Sequence, residues 1–249
     1  MAGGVLWFGR GWLRTGDGFA VWFGLLAAMS PLHRDEGGRL RVRPPFAGLA
    51  HVTPRAGTAG VVLTVLGSTA FDGLTRTEWW RTVVGTRSGW AATGVRTLGL
   101  AFAIGVVSVA FVGAMRVAAR LTAQEPDSLV RPFVHSLVPI ALAYAVAHYF
   151  SLVVFEGQQA LALLSDPLGR GAEWFGTVDW SIDYRALSTR TIAYVQAGAI
   201  VVGHVVTVVV AHDRAVGLFA PGTATRSQIP LLAVMVAYTV AGLGILLGS

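Results

Sequence analysis

Five stretches of this chain are apolar and long enough to cross a bilayer: residues 56–74, 95–116, 132–156, 189–212 and 229–247. A helix rises about 1.5 Å per residue, so roughly 20 apolar residues cover a hydrocarbon core of about 30 Å. Composition agrees. The 249 residues are 54% hydrophobic and 13% charged, against roughly 25% charged in soluble domains. The expected fold is therefore all-α: a polytopic helical membrane bundle of about five transmembrane helices. Two further apolar segments are too short to span. Residues 19–32, "FAVWFGLLAAMSPL", suit an N-terminal interfacial or re-entrant helix. Residues 173–184, "EWFGTVDWSIDY", mix aromatics with acids and suit a membrane surface.

The organisation expected is a 1–55 amphipathic, interfacial segment on the cytoplasmic side, then a 56–249 transmembrane bundle. Gly57, Gly60, Gly67, Gly99, Gly105 and Gly113 would allow close helix approach. Pro132 stands at the start of the third span, where it costs little. Pro139 lies inside that span and should kink it. Pro230 is expected to open the fifth.

All 19 basic residues are arginine, and Lys, Asn and Cys are absent. That excludes Schiff-base and P-loop lysines, thiolate nucleophiles, cysteine metal ligands and disulfides. The net charge of +6 reads as positive-inside topology, not nucleic-acid binding, because the arginines flank apolar spans. Arg10, Arg14, Arg34, Arg39, Arg41, Arg43 and Arg55 precede the first span. They place that segment in the cytoplasm and, after five crossings, the C-terminus outside, in the plasma membrane. The 116–131 and 213–228 loops then fall inside with their arginines. The 157–188 loop falls outside with Asp166, Glu173, Asp179 and Asp183. The 75–94 loop breaks the pattern, being outside with Arg76, Arg81 and Arg87. The start, "MAGGVLWFGRGWLRTGDG", lacks the order of a signal peptide and reads as the middle of a longer protein.

Ionisable side chains within spans are costly and point to function. The third span carries His135, Tyr144, His148 and Glu156; the fourth carries Tyr194, Gln196, His204 and His212, followed by Asp213 and Arg214. His148 and Glu156 are about 80° apart around a helix, close enough to share one broad face. Gln196 falls near the depth of His148. Asp72, at the outer end of the first span, could join Glu156 in an acidic site. His148, Glu156, His204 and Asp72 are thus the candidate bases or ligands. His148 and His204 are the candidate ligands for a divalent metal, whose bound water would permit hydrolysis. Each histidine also has a plain structural reading, as a donor tying helices together. His135 and His212, near the interface, fit that reading better, and Asp213 with Arg214 fits a charge pair at a helix end. No G-x-S-x-G elbow, H-E-x-x-H helix or dinucleotide loop is present.

Four blocks carry a resemblance: "RGWLRTGDGFAVWFGLLAAMSPL", "VLGSTAFDGLTRTEWW", "HSLVPIALAYAVAHYFSLVVFEGQQALALLSDPLG" and "GHVVTVVVAHDRAVGLF". They resemble the C-terminal half of a family of actinobacterial integral membrane proteins known as fenitrothion hydrolases. The resemblance implies further membrane helices before Met1 and hydrolysis of a phosphotriester-like bond, metal-assisted or not, in a small hydrophobic substrate. It supplies no catalytic residues. Beside it stand a transporter or an ion or proton carrier using the same His/Glu seam, and a structural membrane protein. The lipid bilayer is the expected partner throughout.

Overall fold

The computed structural model describes residues 2–9, 11–12, 16–53, 55, 57–177 and 179–247. Met1, Arg10 and Arg14, invoked above, lie outside the described residues, as do the C-terminal Ser249 and Ala56 at the expected start of the first span. Helix takes 72% of the chain, and the described strands are two three-residue pieces. The all-α class is as expected.

The helices are α1 (Ala2–Phe8), α2 (Gly18–Ala28), α3 (Thr58–Thr75), α4 (Glu78–Val84), α5 (Gly89–Leu121), α6 (Val130–Val134), α7 (Val138–Leu163), α8 (Thr189–Leu218) and α9 (Pro221–Leu247). By length and composition, four segments can cross a membrane: α3, α5, the run Val130–Leu163 and α8. The fifth expected stretch lies within α9, a 27-residue helix. The helices outrun their apolar runs. The 33 residues of α5 measure about 50 Å, longer than the roughly 30 Å of hydrocarbon. Its polar ends continue the helix beyond the apolar stretch at 95–116.

The chain forms two compact units. One comprises residues 1–142 and 203–249, the other residues 143–202. In the first, α3 and α9 pack on α5 and on each other. Their core holds Val62, Met115, Ala118, Phe133, Val138 and Leu231, all nearly or fully buried. The expected glycine contacts divide sharply. A Cβ on Gly67 would collide with the backbone of Ile104, so α3 and α5 cross there with no room for a side chain. Gly99 lies under the rings of Trp80 and Phe71, which meet edge to face at 5.0 Å. Gly60, Gly105 and Gly113 face open space. Gly57 serves instead as the N-cap of α3, at φ +87°.

Two loops hold structure that the sequence pattern did not announce. The apolar run expected at 19–32 stops its helix at Ala28, and Leu32–Arg34 pairs antiparallel with Leu40–Val42. Asp35 closes that hairpin, accepting from the Arg39 backbone N–H at 2.9 Å and Arg41 Nε at 3.1 Å. The Arg39 bond, then that from Arg41, holds its carboxyl below the usual range. Arg43 caps α2, donating to the carbonyls of Ser30 at 3.0 Å and Ala28 at 3.0 Å. These are orphan groups of a helix C-terminus. In the 75–94 loop, Thr77 caps α4 by accepting from the Trp80 N–H at 3.2 Å.

Prolines set the remaining geometry. Pro139 has no N–H to offer the carbonyl of His135, four residues back. The Val138 N–H takes that carbonyl instead, and His135–Leu137 tightens into a 3₁₀ turn between α6 and α7. Where a kink is expected at Pro139, the structure has this turn just before it. Pro230 does not open the fifth helix. α9 begins at Pro221, a favoured place for proline, and Pro230 lies in its interior.

The glycine contrast gives a direct test. Gly67→Ala should lower the melting temperature, with a destabilisation of about 1–3 kcal/mol. Gly60→Ala, which meets nothing, should leave it unchanged or slightly raised. Equal melting temperatures for Gly67→Ala and wild type would mean that α3 and α5 do not cross at this point.

Candidate functional site

The second unit contains His148. Its ring stacks on Tyr144, one turn earlier, with centroids 5.6 Å apart and planes at 18°. The following Tyr149 meets it edge-on at 4.9 Å. Residues four apart share a helix face, so the Tyr144 stack follows from the sequence spacing. Gln196 lies at the expected depth: its Nε2 donates to the carbonyl of Ala147, the residue before His148, at 2.9 Å. His148 itself is half-buried, and Glu156, two turns along, is exposed.

Beyond Glu156 the helix end is tied to the 165–188 segment. Gln158 receives the Asp183 N–H at 2.9 Å and donates to the Asp183 carbonyl at 3.3 Å. Thr177 donates to the Ala162 carbonyl at 2.9 Å, and the hydroxyl of buried Ser165 accepts from Phe175 N–H at 2.9 Å. Asp166 accepts backbone N–H groups from Arg170 and Gly171 at 2.8 and 2.6 Å. Those bonds, Arg170's first, hold its carboxyl below the usual range. Trp174, Phe175, Trp180 and Tyr184 stand exposed on this segment.

The first unit contains His204, Asp72, His135 and His212. His204 lies 6.4 Å, ring to ring, from Tyr238 of α9, whose hydroxyl interacts with Thr69 of α3. Asp72, one turn past Thr69, is exposed. His212 Nδ1 lies 3.3 Å from Gln228 Oε1, a pairing that requires the proton on Nδ1. Arg214 does not form the expected pair with Asp213. Its Nε and Nη1 donate to the carbonyls of Pro132 and Ala50, each at 3.2 Å. Asp213 is left exposed, with no ion pair among the described residues.

His135 differs from all of these. It is 1% exposed, and neither ring nitrogen has a hydrogen-bond partner among the described residues. A neutral imidazole always carries one N–H donor and one acceptor, so two polar atoms are buried unsatisfied. The hydroxyl of Thr207, 0% exposed, is in the same state. Sequence reasoning ranked His135 below His148 because of its depth. The overlooked signal is Pro139, which places His135 in the 3₁₀ turn and not on a regular helix face.

Among the described residues, no group of three His, Cys, Asp or Glu side chains could hold a metal ion. His148 and His204 belong to separate units, and Glu156 and Asp72 are exposed surface carboxylates. No protein-family model matches the chain, and no curated protein or solved structure matches it.

The Gln158 clip predicts a local effect. Gln158→Leu should leave helix content unchanged but speed proteolytic cleavage between residues 166 and 188 several-fold, since the segment then opens more often. Cleavage at the wild-type rate would show that the clip does not hold the segment.

Proposed function

We propose that this is an integral membrane protein that carries protons or a small ion, with His135 as the residue that takes up and releases them. The observation behind this reading is the pair of buried, unpartnered nitrogens on His135. Burying unsatisfied polar atoms costs roughly 1–3 kcal/mol, and a residue with no partner cannot be there to tie helices together. A helix broken beside a buried polar group is the usual device of membrane carriers, because it frees backbone and side-chain groups to meet a passing ion.

Hydrolysis of a lipophilic phosphotriester, the activity implied by the resemblance, is the second reading. It is favoured by His148, half-buried and oriented by two tyrosine rings, which would serve as general base. Glu156, His204 and Asp72 remain its secondary candidates. A metal-assisted version draws no support from the described residues. For either reading, the arginine distribution supports a plasma-membrane protein with residues 1–55 on the cytoplasmic side; a fifth crossing by α9 would put the C-terminus outside.

One pair of assays separates the readings. In proteoliposomes under a pH gradient, the wild type should dissipate the gradient. His135→Leu should abolish that flux while leaving the melting temperature unchanged or higher, because no hydrogen bond is lost. Flux that survives His135→Leu would overturn the carrier reading. So would triester turnover in detergent that is lost in His148→Gln and kept in His135→Leu.

A further inference from the structure

The arginines of the 75–94 loop violate the expected topology, and the structure offers them a use. An open pocket of about 470 Å³ lies at the ends of α3 and α5, lined by Thr75, Trp80, Arg81, Val84, Gly85 and Arg96. Arg81 pairs with Glu78 at 2.9 Å, both largely exposed; such exposed pairs are weak and readily exchanged. Arg96 has no ion pair among the described residues. The pocket thus presents two guanidinium groups with no carboxylate in its lining.

Its surroundings indicate the source of the anion. Both bounding helices are long and apolar enough to cross a membrane. Trp79 and Trp90, 60% and 91% exposed, flank the pocket in sequence, as aromatic residues do at headgroup depth. Leu98, Phe102, Val106 and Val109 follow Arg96 along α5, all at least half exposed. Their spacing of four, four and three makes one continuous apolar stripe leading away from the pocket. A soluble phosphate would have no use for that stripe, whereas an acyl chain would.

We infer that this pocket binds the phosphate headgroup of an anionic phospholipid, with Arg81 and Arg96 on the phosphate and an acyl chain along the Leu98–Val109 stripe. Basic pockets between membrane helices are suited to such headgroups. The site is independent of His135 and of the carrier reading.

The test uses the full chain in neutral detergent, titrated with phosphatidylglycerol, phosphatidylcholine or inorganic phosphate while thermal unfolding is followed. Phosphatidylglycerol should raise the melting temperature saturably, and the other two should not. Arg96→Gln should weaken that half-saturation about fivefold, as expected for losing one arginine–headgroup interaction. Arg81→Gln should do the same, and Arg120→Gln, at the far end of α5, should not. Helix content by circular dichroism must match the wild type in each variant. Equal stabilisation by phosphatidylcholine would overturn the inference, as would unaltered affinity in both Arg96→Gln and Arg81→Gln. Stabilisation by inorganic phosphate alone would overturn the lipid assignment.

Discussion

In hydrocarbon a backbone carbonyl finds its partner in protein or goes without. The hydrogen bond that Pro139 cannot donate is therefore the constraint on which the rest of the third span depends. Its missing N–H passes the His135 carbonyl to Val138. The helix tightens for one turn, and His135 stands in that turn and not on a regular helix face. Three residues earlier, the Pro132 carbonyl takes the guanidinium of Arg214. The break and the arginine that closes it belong to one solution of the same problem.

Arginine fills this role repeatedly. Arg43 caps α2, Arg87 donates to the Val83 and Val84 carbonyls at the end of α4, and Arg214 joins Pro132 to Ala50. A guanidinium carries five donors in a rigid fork, so one side chain can serve two carbonyls without giving up its charge. In a chain without lysine, arginine supplies the side-chain cations that finish its helices. Arg87 shows the consequence. Counted only as a charge, it contradicts the topology of its loop; seen as a cap, it has a use where it stands.

What the sequence made legible follows from what each signal depends on. Apolar length depends on the chain alone, and it placed half of the expected ends to within two residues. The other ends, in α5, α7, α8 and α9, are off by more, because those helices run on past their apolar runs into residues that a hydropathy window discards. Close packing depends on which face meets which. Gly67 and Gly60 are indistinguishable as residues, and the crossing with Ile104 alone separates them. The capped helix α4 and the Asp35 hairpin depend on a few bonds accepted by the Thr77 and Asp35 side chains, too local to register in any periodic pattern.

The histidines carry the same lesson to the candidate site. His148 stacks on Tyr144 and meets Tyr149 edge-on, His212 meets Gln228, and the His135 ring nitrogens find no hydrogen-bond partner among the described residues. Depth along a helix ranked His148 first and put His135 with the structural residues, because depth estimates the cost of burial but not whether it is offset. The partner decides that. A paired histidine can be held by its bond alone, so pairing says little about activity. An unpaired one has no such account, and the proposed carrier reading gives it one: another group meets the ring in a second state. On that ground His135 outranks His148, although both are imidazoles on one span.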